Sequence, residues 1–357
     1  MTSKFILALY AAFAGCDGTI TNETDFYVVD GRTGEIDSQG TLRVSSKSVP
    51  ERGFEIARDV QNFQLLDWRI GVLRRDGSLW IGDGPLSSPL VLVDRDVAAY
   101  QVAAARVGIL HGDGTLLVAE TGLVPRPLRT RVRAFQVLPD RIGVLATDGS
   151  LWIQDGMSNA PLQHVADGVE NFQLAHEWVA YNEATGEQRL MIGQGQAAGM
   201  VFVERARGIR DFEIEVWRDP NAHDESRLRV AHVDPAGGVT VGGGFLEPRL
   251  GEHTFIDRFD ARSIATASPI ARVHWANGRL LAIDLRGHVQ VANVDASGAL
   301  ATFSDGGVLR DVSWNGAGIA TRTKATGERG AFSVSNSIDL RRPAMLTFGQ
   351  RLAGVAP

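Results

Sequence analysis

Cysteine is almost missing from this 357-residue chain: Cys16 is the only one, so neither a disulfide framework nor a cysteine-ligated metal centre can be built. Helical periodicity is missing too. Beyond the N-terminal apolar run no stretch keeps apolar residues at i, i+3, i+4 and i+7, and Gly or Pro interrupts within about one helical turn. The eight histidines are scattered, and none pairs with another at the H-x-x-x-H spacing of metal ligands. Charge of one sign is not clustered. With 36 Lys and Arg against 42 Asp and Glu, the net charge of −6 argues against a nucleic-acid partner, which selects a basic face. Serine elbows, phosphate-cradling loops and dinucleotide fingerprints are absent, and the glycine-rich "GQGQAAG" (193–199) leads into no helix. The expectation is therefore no catalytic residue, no cofactor and no bound metal.

What is present begins at the N-terminus. A single Lys4 precedes the apolar run "FILALYAAFA" (5–14), which ends in small residues at "AGC" and is too short to span a bilayer. This is a secretory signal pattern over residues 1–15. The ending "FAGC" resembles a bacterial lipobox, with Phe13 in place of the usual Leu, and implies diacylation of Cys16. The polar stretch 17–25 then reads as a tether, leaving 26–357 as the folded domain. The expected location is the cell envelope, periplasmic or surface-exposed, with secretion as the alternative.

The folded part repeats. "VQNFQLLDWRIGVLRRDGSLWIGDG" (60–84), "VAAYQVAAARVGILHGDGTLLVAE" (97–120) and "VRAFQVLPDRIGVLATDGSLWIQDG" (132–156) align, their aromatics at Phe63, Tyr100 and Phe135. Fainter copies open at Phe172 and Phe212 and recur at 279–295 and 309–334. Each copy alternates apolar and polar residues in two short runs, then turns at Asp-Gly (76–77, 113–114, 148–149), where a type I′ hairpin is expected. A third strand follows, and a fourth begins at Pro89, Pro127 or Pro161, as suits an edge strand. Four short strands in about 37 residues make a propeller blade. The fold class is thus all-β, a single β-propeller of eight blades by hairpin count, with seven as the alternative. The first unit, opening directly at "FYVVDG" (26–31), lacks its opening two strands, so a composite blade shared with "PAMLTFGQRLAGVAP" (343–357) is expected to close the ring.

The unit P-x-x-V-x-x-G-V-x-x-F followed by G-V-L-x-x-D-G-S-L-W, clearest at "PLQHVADGVENF" (161–172) and at the hairpins ending in Trp80 and Trp152, resembles repeats of the RCC1-like (regulator of chromosome condensation) propellers, in their divergent bacterial form. The resemblance implies a scaffold used for binding. It does not carry nucleotide exchange, since the Gly-Gln-Leu-Gly stretch of the eukaryotic repeats is missing.

Trp80 and Trp152 share a third-strand position with Leu117, which indicates packing. Asp76, Asp113 and Asp148 are explained by their turns. Trp68, Trp178 and Trp217 fall near loops after the first strand and are the ligand-binding candidates. The charged stretch 215–228 in the fifth unit is an expected loop insertion. The expected function is a monomeric, non-catalytic propeller binding a protein or glycan, attached to the membrane only through its lipid. The rival is a polysaccharide-active lyase or glycosidase, whose acids would converge at one channel mouth.

Overall fold

The computed structural model describes residues 26–346 apart from short stretches within that span, with side chains described chiefly between 34 and 285. Among the described residues every regular element is a strand, and eight four-stranded antiparallel sheets form. Seven of them keep simple up-and-down order, each strand beside its sequence neighbours, over 26–57, 60–94, 97–129, 132–166, 169–206, 270–302 and 309–346. Here they are blades 1 to 5, blade 7 and blade 8. Blade 6 pairs Asp211–Arg218, Ser226–Val233, Val239–Gly244 and Asp260–Ile264, and carries an extra hairpin, Leu246–Pro248 with Phe255–Asp257. Blade 8 spans 309–346. Residues 1–167 with 310–357 form one compact unit, and 168–309 form another.

Two expectations are corrected. Among the described residues the first and last strands share no sheet: Phe26–Val29 pairs with Arg32–Ile36, and Met345–Leu346 pairs with Phe332–Ser335. The first blade is complete because Val49–Ala57 supplies its fourth strand, a segment whose Pro and charges hide its strand pattern. Of the expected insertion at 215–228, the described residues 215–218 and 226–228 are ladder. Trp217 and Arg218 continue one strand, opposite Arg227 and Ser226, and the inserted hairpin lies further on.

The turn chemistry also differs from a type I′ hairpin. Gly77 sits at φ 78° and donates its N–H to Arg74 O (3.0 Å), while Arg74 N–H reaches Ser78 O (2.9 Å). This is a three-residue loop closed by a left-handed glycine, and Asp76 needs no positive φ. Asp76 instead accepts through Oδ1 from the Ser78 N–H (2.9 Å) and hydroxyl (2.5 Å), and Trp80 Nε1–H donates to Ser78 Oγ (2.9 Å). Asp148, Ser150 and Trp152 repeat the relay at 3.0, 2.6 and 2.9 Å. The Asp-Gly-Ser-Leu-Trp motif is a turn lock. Both tryptophans are half-buried against the core, with Arg74 or Arg129 stacked on the ring at 4.5 and 4.1 Å.

Neighbouring blades are joined by three recurrent devices. The first-strand aromatic of one blade covers a second-strand glycine of the blade before it. A Cβ on Gly71 would lie 2.7 Å from the Tyr100 ring and one on Gly108 2.6 Å from Phe135, and one on Gly34 would run into the Phe63 ring. Phe63, Tyr100, Phe135, Phe172 and Phe212 are all buried. Next to Phe63, Tyr100 and Phe172, a carboxamide accepts from the following first strand: Gln64 from Val102 N–H (2.8 Å), Gln101 from Val137 N–H (2.7 Å) and Gln173 from Ile214 N–H (2.7 Å). Finally, the turn glycine's carbonyl takes the N–H opening the next blade, as Val60 to Gly40, Val97 to Gly77 and Val132 to Gly114. The chain reaches that point through Asp59, Asp96, Arg131, Gly168 and Gly208, all at positive φ.

Candidate binding surface

Within the unit of residues 1–167 the two ends of blades 2 to 4 are chemically unlike. At one end lie the Asp-Gly turns and the blade-to-blade connections, whose polar groups bond locally. Hydrogen bonds from Ser78, Thr115 and Ser150 hold the Asp76, Asp113 and Asp148 carboxyls below the usual carboxylate range. A groove of about 520 Å³ at this end is lined by Pro127, Leu128, Arg129, Arg131, Ala146 and Asp148.

The other end holds the loops between first and second strands and between third and fourth. Beneath it runs a row of buried arginines at one repeat position. Arg69 makes a bidentate pair with Asp83 (2.5 and 3.0 Å) and donates to Ala103 O in the next blade (3.1 Å). Arg141 pairs with Asp155 (2.5 Å). Arg106, 1% exposed, lies 3.5 Å from Glu120 and donates to Gly156 O in the next blade (2.7 Å). Burial pulls the Arg106 guanidinium below its ordinary pKa, and the Glu120 charge opposes that. Buried cations facing partly exposed acids fasten the loops to the blades.

Above that row the loop tips share one geometry. Gly84 N–H donates to Trp68 O (2.6 Å) and Gly156 N–H to Asp140 O (2.8 Å). The tip residue is Trp68 in blade 2, Ala105 in blade 3 and Asp140 in blade 4, each one before the buried arginine. The loop therefore forms without an aromatic. Trp68 is nonetheless 42% exposed, with the Arg69 guanidinium 4.7 Å from its ring centre. At the same end Val124 is 68% exposed and Pro85 is exposed beside Gly84.

The other candidates are placed differently. Trp178 is not a loop residue. It occupies blade 5's counterpart of Arg69, opens the strand Trp178–Glu183 and is fully buried among Ile192, Ile209 and Phe212. The turn before it is tight, with Ala175 opposite Trp178, so the ring enters the core where siblings carry arginine. Trp217 lies inside the strand Asp211–Arg218. Cys16 lies outside the described residues. The arginine row escaped the sequence reading although its signal is legible there, as "RIG", "RVG" and "RIG" followed 14 residues later by Asp83, Glu120 and Asp155.

No family model and no curated protein matches the chain. Among solved structures, the computationally designed Ika8 protein aligns over 88% of this chain and 96% of its own, with TM-score 0.54 and 15% identity. Prp20p of Saccharomyces cerevisiae, the yeast RCC1, aligns over 74% and 84% with TM-score 0.47 and 10% identity. Hsv2p of Kluyveromyces lactis aligns over 79% and 94% with TM-score 0.48 and 11% identity. With eight four-stranded sheets among the described residues and a repeat of RCC1-like pattern, the chain is a β-propeller.

Proposed function

We propose that this propeller is a non-catalytic, protein-binding module displayed on a bacterial cell envelope through a lipid on Cys16. The observation that carries the binding reading is Trp68, a large aromatic held in solvent at a loop tip whose geometry its siblings keep with Ala or Asp. Trp and Arg are the side chains most enriched at interface hot spots, and here an arginine backs the ring and keeps one face covered. Flanking Pro85 and Val124 extend the apolar contact at the same end. Prp20p is described by its binding to Gsp1p and histones, which is consistent with an RCC1-like propeller serving as a protein-binding scaffold.

The test is a photo-crosslinking amino acid at position 68 of the lipidated protein in its native host, with position 112, in the turn at the opposite end, as control. A protein adduct at 68 that is lost when unlabelled wild type competes, but survives competition by Trp68→Ala, supports the reading. Crosslinks to glycan alone, or equal competition by Trp68→Ala, overturn it. Loss of a Trp hot spot is expected to weaken binding by about 2 kcal/mol or more.

A further inference from the structure

The repeat is interrupted in one chemical detail inside the unit 168–309. In blades 2 and 5 the first strand carries Asn-Phe-Gln (Asn62 to Gln64, Asn171 to Gln173); blade 6 carries Asp211-Phe212-Glu213. Both amides flanking the aromatic have become acids. Glu213 does the work of its Gln siblings, its Oε2 accepting from Trp275 N–H (2.9 Å), and Asp211 Oδ2 accepts from Val273 N–H (3.0 Å), so the two grip alternate amides on blade 7's first strand. Glu213 is buried, 4% exposed, in the place where Gln64, Gln101 and Gln173 carry no charge.

From this geometry we propose that the seam between blades 6 and 7 is a pH-responsive joint, closed while Glu213 holds its proton and loosened when the proton leaves. A neutral carboxyl fits this site as its amide siblings fit theirs. An ionised carboxylate there loses its hydration, and the backbone N–H of Trp275 and the Gln173 side chain return only part of it. Of the described groups that act on its charge, the Trp275 N–H and the Gln173 side chain favour it and Glu215 opposes it. Glu215 on the same strand adds negative charge, and Arg229, opposite it on Ser226–Val233, is turned to Glu215 (3.9 Å) and to the Trp275 ring (5.9 Å). His232 is registered with Phe212 and so belongs to the other face of the sheet. Gln173 reaches in from blade 5 and is neutral, and the titratable residues of Ile270–Ala276 are Arg272 and His274. Burial, reinforced by Glu215, pushes the Glu213 carboxyl well above the usual range, against the opposing hydrogen bonds.

The sign follows. A carboxyl whose folded pKa is raised stabilises the fold below its unfolded pKa, and that contribution is lost as pH rises towards the folded one. Over that window the opening equilibrium of the seam grows about tenfold per pH unit. Amide hydrogen exchange of the full-length protein, corrected for intrinsic base catalysis, reads it directly. Protection at Val273 and Trp275 is expected to fall with pH in wild type and to stay within about twofold in Glu213→Gln, while Asp211→Asn keeps the wild-type slope. Equal pH slopes in wild type and Glu213→Gln overturn the proposal. If Glu213→Gln does not fold, isotope-edited infrared of wild type decides. A protonated-carboxyl band that fades along with the protection supports the joint, and one that persists while protection is lost overturns it.

Discussion

At the scale of single residues the structure is decided by which positions tolerate a side chain. Gly71 has none to spare: a methyl there meets Tyr100 Cε2 at 2.7 Å and Val102 Cγ2 at 2.6 Å, and Tyr100 is also tied by its hydroxyl to Gly71 O (3.0 Å). Gly71→Ala is expected to cost about 1–3 kcal/mol by overpacking, whereas Gly112→Ala, with no atom within 4 Å of the added Cβ, is expected to be nearly silent in denaturant unfolding. Gly168 tests conformation without crowding, since its Cβ would meet nothing and its φ is 64°. Replacing it with Ala is expected to cost about 1–2 kcal/mol, and Asp less, because Asp59 and Asp96 hold the same place in other blades. Equal losses from Ala and Asp would refute that ranking. The turn locks add an acid limb. With Asp76 and Asp148 held low by Ser78 and Ser150, their contribution is present above the unfolded pKa and is lost as pH falls through the depressed folded one. Ser78→Ala with Ser150→Ala is expected to flatten stability against pH below about pH 4, measured by thermal unfolding.

At the scale of elements, the strand ladder and the seams between sheets carry different information. The alternation in "VQNFQL" and "RIGVLR" and the Asp-Gly turns made blades 2 to 4 legible, and the proline-led fourth strands fall at sheet edges as expected. Blade 1 is obscured in the sequence because its fourth strand includes Pro50, Glu51 and Arg52, which hide an edge strand that tolerates them. Since Met345–Leu346 pairs within blade 8 alone, removing residues from Pro343 onward is expected to leave amide protection in blade 1 unchanged. A loss of protection at Leu42 or Val44 would restore the shared-blade arrangement. The buried arginine row and the glutamine clasps are seam features. Nothing in one strand's periodicity announces them, because their partners are 14 residues away in the same blade or about 37 away in the next.

At the scale of the whole molecule, the proposed anchor is tested by fractionation. Two acyl chains on Cys16, at about 0.8 kcal/mol per buried methylene, hold a protein on a membrane where one chain holds it marginally. Expressed with its own leader, the protein is expected in the membrane fraction with a lipid mass on its N-terminus, and Cys16→Ser in the soluble fraction. An intact Met1 or Thr2 without lipid in the native host overturns the anchor and leaves the fold untouched. Sequence by itself determined the all-β class, the repeat length, the hairpin count and the packing role of the repeated aromatics, because each is written in local periodicity and turn chemistry. Only the tertiary structure decided that the first and last described strands belong to separate sheets, that Trp178 is core and Trp68 is surface, and that Glu213 stands where its siblings are neutral. The two tryptophans stand beside each other in the repeat, at the tip and one residue on. Pairing with the third strand and the neighbouring blade sends one ring outward and the other in.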